Sequence, residues 1–321
     1  MNKKKKLTAV IAMFVMAAML LTGCGKDRMM FGTGGSAGTY YSYGGVIAQY
    51  ITNYAGVRVT AVSSGGSKAN IQSIQDGDFQ LGFTQSDVMA YAWEGTKAFE
   101  KDGGTQDFRV LGGLYAETVQ LITMDENITS VEDLRGKSVS IGEAGSGVYF
   151  NAIDVLSAAG ITLDDIKPQY QSFEASKEAL KDGMIQAAFI VAGAPTTAIT
   201  ELATTNGVHI INIDGEFRDS ILDQCPYYAA YQIPADTYPG QPEPIETITV
   251  KATVIVSAYL DEETVYNMTA AIFDNAEAIS LENAKGRELS IENATEGMAA
   301  PFHVGAARYY QEHGVSVEAM E

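Results

Sequence analysis

The chain has 321 residues and a mass of 34.3 kDa, enough for one large domain or two ordinary ones. Its 46% hydrophobic and 19% charged residues exclude a disordered or fibrous chain. Twenty-one Lys and Arg stand against 40 Asp and Glu, a formal net charge of −19, which excludes a nucleic-acid partner because that needs a cationic face.

The chain opens on Lys3, Lys4, Lys5 and Lys6, followed by an apolar run over residues 7–21 and then Leu21-Thr22-Gly23-Cys24. A cationic start, a short apolar stretch and a small-residue exit read as a secretory signal peptide; the run is shorter than the ~20 residues of a spanning helix. The last four residues resemble a bacterial lipobox. That resemblance implies cleavage before Cys24, lipid on Cys24, and an extracytoplasmic protein anchored to the cell membrane through it. Residues 1–23 are then a lipoprotein signal peptide and 24–28 a lipidated leader. Loss of four lysines and no acid takes the net charge from −19 to −23. The other cysteine, Cys225, is left without an intramolecular partner and reads as a small hydrophobe.

From residue 29 strand and helix patterns alternate. Residues 29–33 read as a strand, 43–54 as a helix, 57–62 as a strand, 68–75 as a helix, 79–84 as a strand and 88–99 as a helix. Two strands follow, 108–114 and 118–124. The order then recurs: strand 138–141, helix 149–159 with Gly160 as its stop, strand 169–173, helix 176–181, strand 186–191 and a helix from Pro195. Such alternation predicts an α/β fold with largely parallel sheets. Asp76-Gly77-Asp78-Phe79-Gln80-Leu81-Gly82-Phe83 is echoed by Asp182-Gly183-Met184-Ile185-Gln186-Ala187-Ala188-Phe189. Two similar lobes with a ligand cleft between them are the reading, since open α/β sheets bind ligands at strand C-terminal ends. Residues 232–244 carry four prolines and read as a turn-rich connection. Residues 247–257 read as a strand, 261–282 as one long helix, and 309–313 as the end of a last helix.

Gly34-Gly35-Ser36-Ala37-Gly38 fits the G-x-S-x-G nucleophile elbow, which would make Ser36 the nucleophile of an exported hydrolase with one of His209, His303 or His313 as base. A Gly-Ser turn recurs at 145–146, where no second triad is plausible, so a repeated polar-binding turn explains both. Gly32-Thr33-Gly34-Gly35-Ser36-Ala37 also fits G-x-G-x-x-A, but no acid for a ribose stands about 20 residues on. No phosphate-binding P-loop and no Cys or His pair at metal-ligand spacing occurs; no cofactor or metal is expected. What remains is a set of hydroxyl- and glycine-rich turns before helices, at residues 36–41, 63–67, 84–87, 145–147 and 192–196. Exposed N–H groups there can hold an anion without a cation, unless each Ser or Thr serves only as an N-cap.

In these turns the sequence resembles the TAXI class of solute-binding receptors of tripartite ATP-independent periplasmic (TRAP) transporters. The matching signatures are Gly32 to Tyr41, Ser64-Gly65-Gly66-Ser67 with Asn70, and Leu81 to Asp87. They continue with Asp133-Leu134-Arg135-Gly136-Lys137, Gly145-Ser146-Gly147, Tyr238-Pro239-Gly240-Gln241 and Pro301 to Tyr310, and so run along the whole mature chain. The resemblance implies a two-lobed periplasmic-binding-protein-like fold of the class II type and no enzymatic activity. It implies a monomeric receptor that closes on a small organic solute, an amino acid such as glutamate or glutamine or a small carboxylate, and delivers it to a TRAP membrane permease. A sensory or chemotactic binding protein of the same fold is the alternative. By position, Ser36, Gly38, Tyr40, Ser64, Gly66, Asn70, Gln85 and Ser86 would bind ligand from the first lobe, and Ser146, Gly147 and Ala192 from the second. Lys68 is the one cation in these turns, and Glu143 either meets a ligand amine or is solvated. The expected division is 29–115 for the first part of lobe one, 116–229 for lobe two, and 230–321 for a return to lobe one, with hinges at 114–117 and 224–231.

Overall fold

The computed structural model describes residues 28–101 and 103–321. The expected signal peptide and Cys24 lie outside the described residues. The first half of the fold begins with β1 (Arg28–Gly32), α1 (Thr39–Tyr54), β2 (Arg58–Val62), α2 (Ser67–Gln75), β3 (Leu81–Gln85) and α3 (Ser86–Glu94). Helix α1 forms because Tyr40, Tyr43, Ile47 and Ile51 recur every three or four residues and bury one face; it stops before Gly56, whose φ of +75° breaks the turn. Strand β1 pairs in parallel with β2, Met29 opposite Val59, and with β3, Phe31 opposite Leu81.

Strand β4 (Phe108–Thr123) follows. It is one continuous strand of 16 residues, not the two predicted. The glycines that suggested a break, Gly112 and Gly113, are close-approach positions instead: a Cβ on Gly112 would run into the Tyr310 hydroxyl, and one on Gly113 into the Lys251 side chain. Then come β5 (Ser138–Ser140), α4 (Gly147–Ala158), β6 (Lys167–Gln169), α5 (Phe173–Lys181), β7 (Ala187–Ala192), α6 (Thr197–Thr205), β8 (His209–Ile211), α7 (Gly215–Gln224) and β9 (Ala229–Ile233). Residues 169–173 are therefore mostly not strand: Ser172 accepts a bond from Ala175 N and starts α5. Strand β10 (Ile245–Ser257) is followed by α8 (Glu262–Phe273), α9 (Ala276–Glu282), α10 (Ile291–Thr295), β11 (Phe302–His303), α11 (Val304–Glu312) and β12 (Ala319–Met320). The single helix expected over 261–282 is broken after Asp274, where Asn275 leaves helical geometry and its Nδ2 donates back to Ala271 O.

The described strands form one mixed sheet, with the path β2-β1-β3-β10-β4-β7-β5-β6. Parallel order holds in each half, but β10 is antiparallel to both β3 and β4, and β4 to β7. The largely parallel expectation fails here because two long strands running in opposite directions link the halves. Their pairing extends from Thr249 opposite Thr118 to Ser257 opposite Phe108, with irregularities at Ala252/Thr253 and Val254/Ile255 that bend it. One hydrophobic cluster gathers residues from 31–115 and 252–310. Two others, on the opposite faces of the second half of the sheet, gather residues from 119–250. The fold is thus two α/β lobes sharing one sheet.

Phe83 in β3 stacks on Phe31 at 4.9 Å and on Tyr40 at 4.5 Å, and is fully buried. Phe83→Ala should lower the unfolding free energy by about 3–5 kcal/mol in a denaturant titration, from lost burial and the cavity left behind.

Candidate functional site

Where the lobes meet, the C-terminal ends of β1 and β3 face those of β5 and β7. A small cavity of about 60 Å³ lies between them, lined from both sides. At roughly 10–15 Å³ per water-sized position it accepts a solute of a few heavy groups, not a polymer. The first lobe supplies Gly38, Tyr40, Gly66, Ser67 and Gln85; the second supplies Ser146, Gly147, Phe173 and Ala192. Seven of the residues singled out in the sequence, Gly38, Tyr40, Gly66, Gln85, Ser146, Gly147 and Ala192, are therefore brought together. Ser36 and Ser64 line an adjoining hollow of about 200 Å³ with Glu143 and Ser172.

Asn70 and Ser86 line neither space. Asn70 is fully buried and its Nδ2 donates to Gly32 O, Thr33 O and Phe83 O, which holds the ends of β1 and β3 together. Ser86 Oγ accepts from Lys251 N and ties α3 to β10. No histidine lines the hollow beside Ser36. His303 Nδ1 accepts from Gly305 N while its Nε2 meets Leu260 O, and His209 sits exposed on β8, so the Ser-His arrangement of the elbow reading is not assembled.

Three helices end on the cavity without a side-chain cap: α1 after Gly38, α2 after Gly66 and α4 after Ser146. Ser146 Oγ donates backward to Glu143 O and caps nothing. The N-terminal N–H groups and positive dipole ends of these helices therefore face the enclosed space. The N-cap explanation of the turns holds for Ser172 on α5, but not here. No Lys or Arg lines the cavity.

Spacing arguments gave no reason to single out Glu117. It lies on β4, is 2% exposed, and faces the cavity. Tyr115 Oη donates to its Oε1 at 3.4 Å, while its Oε2 is buried without a partner, as are Tyr40 Oη and Gln85 Oε1 beside it. Burial pushes the carboxyl up to about 8, with the nearby Tyr40 and Gln85 groups offsetting part of that and Asp87 adding to it. A lone Glu between Ala116 and Thr118 reads as an ordinary polar position in a strand; only the sheet crossing turns it inward.

A model of the NMT1-like family matches residues 31–314. The chain belongs to the NMT1-like family. Among solved structures it is similar to a binding protein component of an ABC phosphonate transporter from Pseudomonas aeruginosa (13% identity, 81% of this chain and 79% of that one, TM-score 0.54). It is also similar to PhnD1 from Prochlorococcus marinus, solved in complex with methylphosphonate (10%, 78% and 85%, 0.52). A third similar protein, Tv2483, was solved bound to L-arginine (11%, 82% and 90%, 0.51). At these identities the likeness is one of fold: the two-lobed α/β architecture of the periplasmic binding proteins.

In this NMT1-like chain the rims of the two lobes touch. Thr39 Oγ1 donates to Gly193 O at 2.9 Å, Ala69 N to Gly145 O at 3.2 Å, and Lys97 Nζ to Asp154 at 2.9 Å. Beneath them Asn151 Nδ2 on α4 donates to Asp87 Oδ2 on α3 at 2.9 Å and to Tyr228 Oη at 2.7 Å. Asp87 Oδ1 and Asn151 Oδ1 are both buried and unpartnered. Protonation of Asp87 would turn one of these unpartnered acceptors into a donor. Burial, with Asp154 nearby, raises the Asp87 carboxyl to about 7, so it holds that proton at neutral pH more than an exposed Asp does.

Two predictions follow from this geometry. Because Asp87 binds its proton more tightly folded than unfolded, its contribution to stability is present below the unfolded value near 4 and fades as pH rises through about 7. Asp87→Asn supplies a permanent donor, so its melting temperature should gain on wild type as pH goes from 5 to 8. In the second case, a Cβ on Gly147 would collide with the Gln85 side chain. Gly147→Ala should therefore push the Gln85 side chain aside and lower the unfolding free energy by about 1–3 kcal/mol in a denaturant titration, while far-UV circular dichroism stays unchanged.

Proposed function

We propose that this protein is an extracytoplasmic solute-binding receptor that captures a small organic solute by lobe closure and delivers it to a membrane permease. The observation that carries this is the cavity closed from both lobes, with three uncapped helix N-termini and unpartnered polar groups turned into it. A ligand that touches both rims stabilises the closed state over the open one, and closure reports occupancy to the partner. The fold is that of proteins solved with methylphosphonate or L-arginine, which supports a small polar solute here. The uncapped N-termini favour a carboxylate or similar anionic group at one end of it.

The signal-peptide pattern and Cys24 support export and anchoring by lipid. The TAXI-like turns support an amino acid such as glutamate or glutamine, or a small carboxylate, as solute, and a TRAP permease as partner. We place the lobe boundaries at 115/116 and at 250/251. The second differs from the division at 229/230 read from the sequence, because Ile233 and Tyr238 pack with Ile122 and Leu202 of the second lobe.

The test is thermal unfolding of residues 25–321 against amino acids, 2-oxo acids, dicarboxylates and phosphonates. A ligand at ~100 times its dissociation constant adds ~2.7 kcal/mol and should raise the melting temperature by about 2 °C or more. Recovery of that ligand unaltered supports a receptor; turnover overturns the reading. Uptake by permease-containing vesicles under a sodium gradient without ATP supports a TRAP partner, and uptake that requires ATP overturns it.

A further inference from the structure

We infer that Glu117 is the specificity-determining residue of the cavity and selects solutes that bring an ammonium group, against otherwise equal solutes that carry a keto or second carboxylate group at that end. The inference rests on the receptor reading and narrows its solute class to one of the two that the sequence leaves open.

The argument starts from an imbalance of charge and donors. Glu117 is the one acidic side chain of the cavity lining that is almost wholly buried; Glu143, the other, is half-buried and also faces the adjoining hollow. No cation lines the space. Lys285, which lies over the Tyr115 ring at 5.5 Å, is engaged by Glu288 at 2.7 Å. Glu117 Oε2 makes no close hydrogen bond, although the Tyr40 hydroxyl and the Gln85 amide lie near enough to favour its charged form, and Gln85 Oε1 is a second buried acceptor without a partner. A buried carboxyl with a free lone pair and a second acceptor close by can be satisfied by a group bearing several N–H donors, which describes a primary ammonium. A keto or carboxylate group placed there would leave Gln85 Oε1 unpartnered and would bring no positive charge to Glu117. The opposite end of a zwitterion has its place at the uncapped helix N-termini.

The titratable groups that most influence Glu117 are Tyr40 on α1, Asp87 on α3 and Tyr115 on its own strand; on β10, Lys251 pairs opposite Ala116 and donates its Nζ to Asn293 O and Glu296 O. None of the first three is a cation that would hold the carboxylate ionised before the solute arrives. In the closed cavity without solute, Glu117 is largely protonated below a pH of about 8, and an ammonium restores the charge. Binding of an amine-bearing solute should therefore release close to one proton at pH 7. Affinity should rise by up to about tenfold per pH unit between 6 and 8 and then level off.

The experiment uses residues 25–321, first unfolded and refolded to remove bound solute. L-glutamate is compared with 2-oxoglutarate, and each further amino acid with its 2-oxo acid, by thermal shift and then by calorimetry in buffers of different ionisation enthalpy. Glu117→Gln keeps the shape and removes the charge; it should weaken amino-acid binding at least about thirtyfold and abolish proton release. Glu117→Asp should retain proton release with weaker affinity. If Glu117→Gln does not fold, the proton count and pH profile of wild type decide by themselves. Wild type that prefers the 2-oxo acid, or a Glu117→Gln protein that binds the amino acid as well as wild type does, overturns the role of Glu117 and leaves the receptor reading standing. Wild type that responds to no solute in either series, while phosphonates or other dicarboxylates do bind, overturns it likewise. No response to any compound overturns both.

Discussion

The structure depends on one constraint: two fully paired strands, running in opposite directions, are the only sheet continuity between the lobes among the described residues. Strand β4 enters the crossing from the first lobe and continues into the second, and β10 returns alongside it. Thr247 and Thr249 of β10 donate their hydroxyls to Val119 O and Glu117 O of β4, which adds side-chain bonds to the backbone ladder where the two pass from one lobe to the other. A strand pair bends and twists without breaking its ladder, which holds the two rims in register. Glu117 sits opposite Val250 at this place, which puts a buried carboxyl at the floor of the cleft on a strand paired along β10.

Around that crossing the seam between the lobes combines polar and aromatic contacts. Phe150 and Tyr227 of the second half pack against the first hydrophobic cluster, each meeting Tyr91 edge-on at 6.4 and 5.9 Å. Polar bridges run from Thr39 to Gly193, Ala69 to Gly145, Lys97 to Asp154 and Asp87 to Asn151. A few net hydrogen bonds are worth about 1 kcal/mol each. The two buried acids, Asp87 and Glu117, add a proton dependence to the same seam, since each holds its proton to a higher pH than an exposed carboxyl does.

Much of the fold was legible because it is locally encoded. Helix α1 follows from the spacing of Tyr40, Tyr43, Ile47 and Ile51, and α4 from an apolar face that stops at Gly160, with φ +65°. The repeated Asp-Gly turns before β3 and β7 announced two related halves. The site was legible as a set of turns: seven of the eleven predicted residues meet at one cavity. Asn70 and Ser86 share the same polar, turn-adjacent character but spend their hydrogen bonds on β1, β3 and β10. Residue type cannot separate a side chain that faces a ligand from one that holds the turn in place.

The sequence by itself determined the α/β class, the alternation of elements and the polar, glycine-rich character of the turns that meet at the cavity, because each is written in periodicity and residue type over a few neighbours. The tertiary structure alone decided that residues 108–123 are one strand, that β10 pairs along β4 from Thr249 to Ser257, and that Glu117 points into the cleft. Those facts depend on partners more than a hundred residues away: Tyr310 filling the space over Gly112, β10 pairing along β4, and the second lobe folding over the first. A strand residue can face either side of its sheet, and which side is enclosed is settled only when distant elements pack against it.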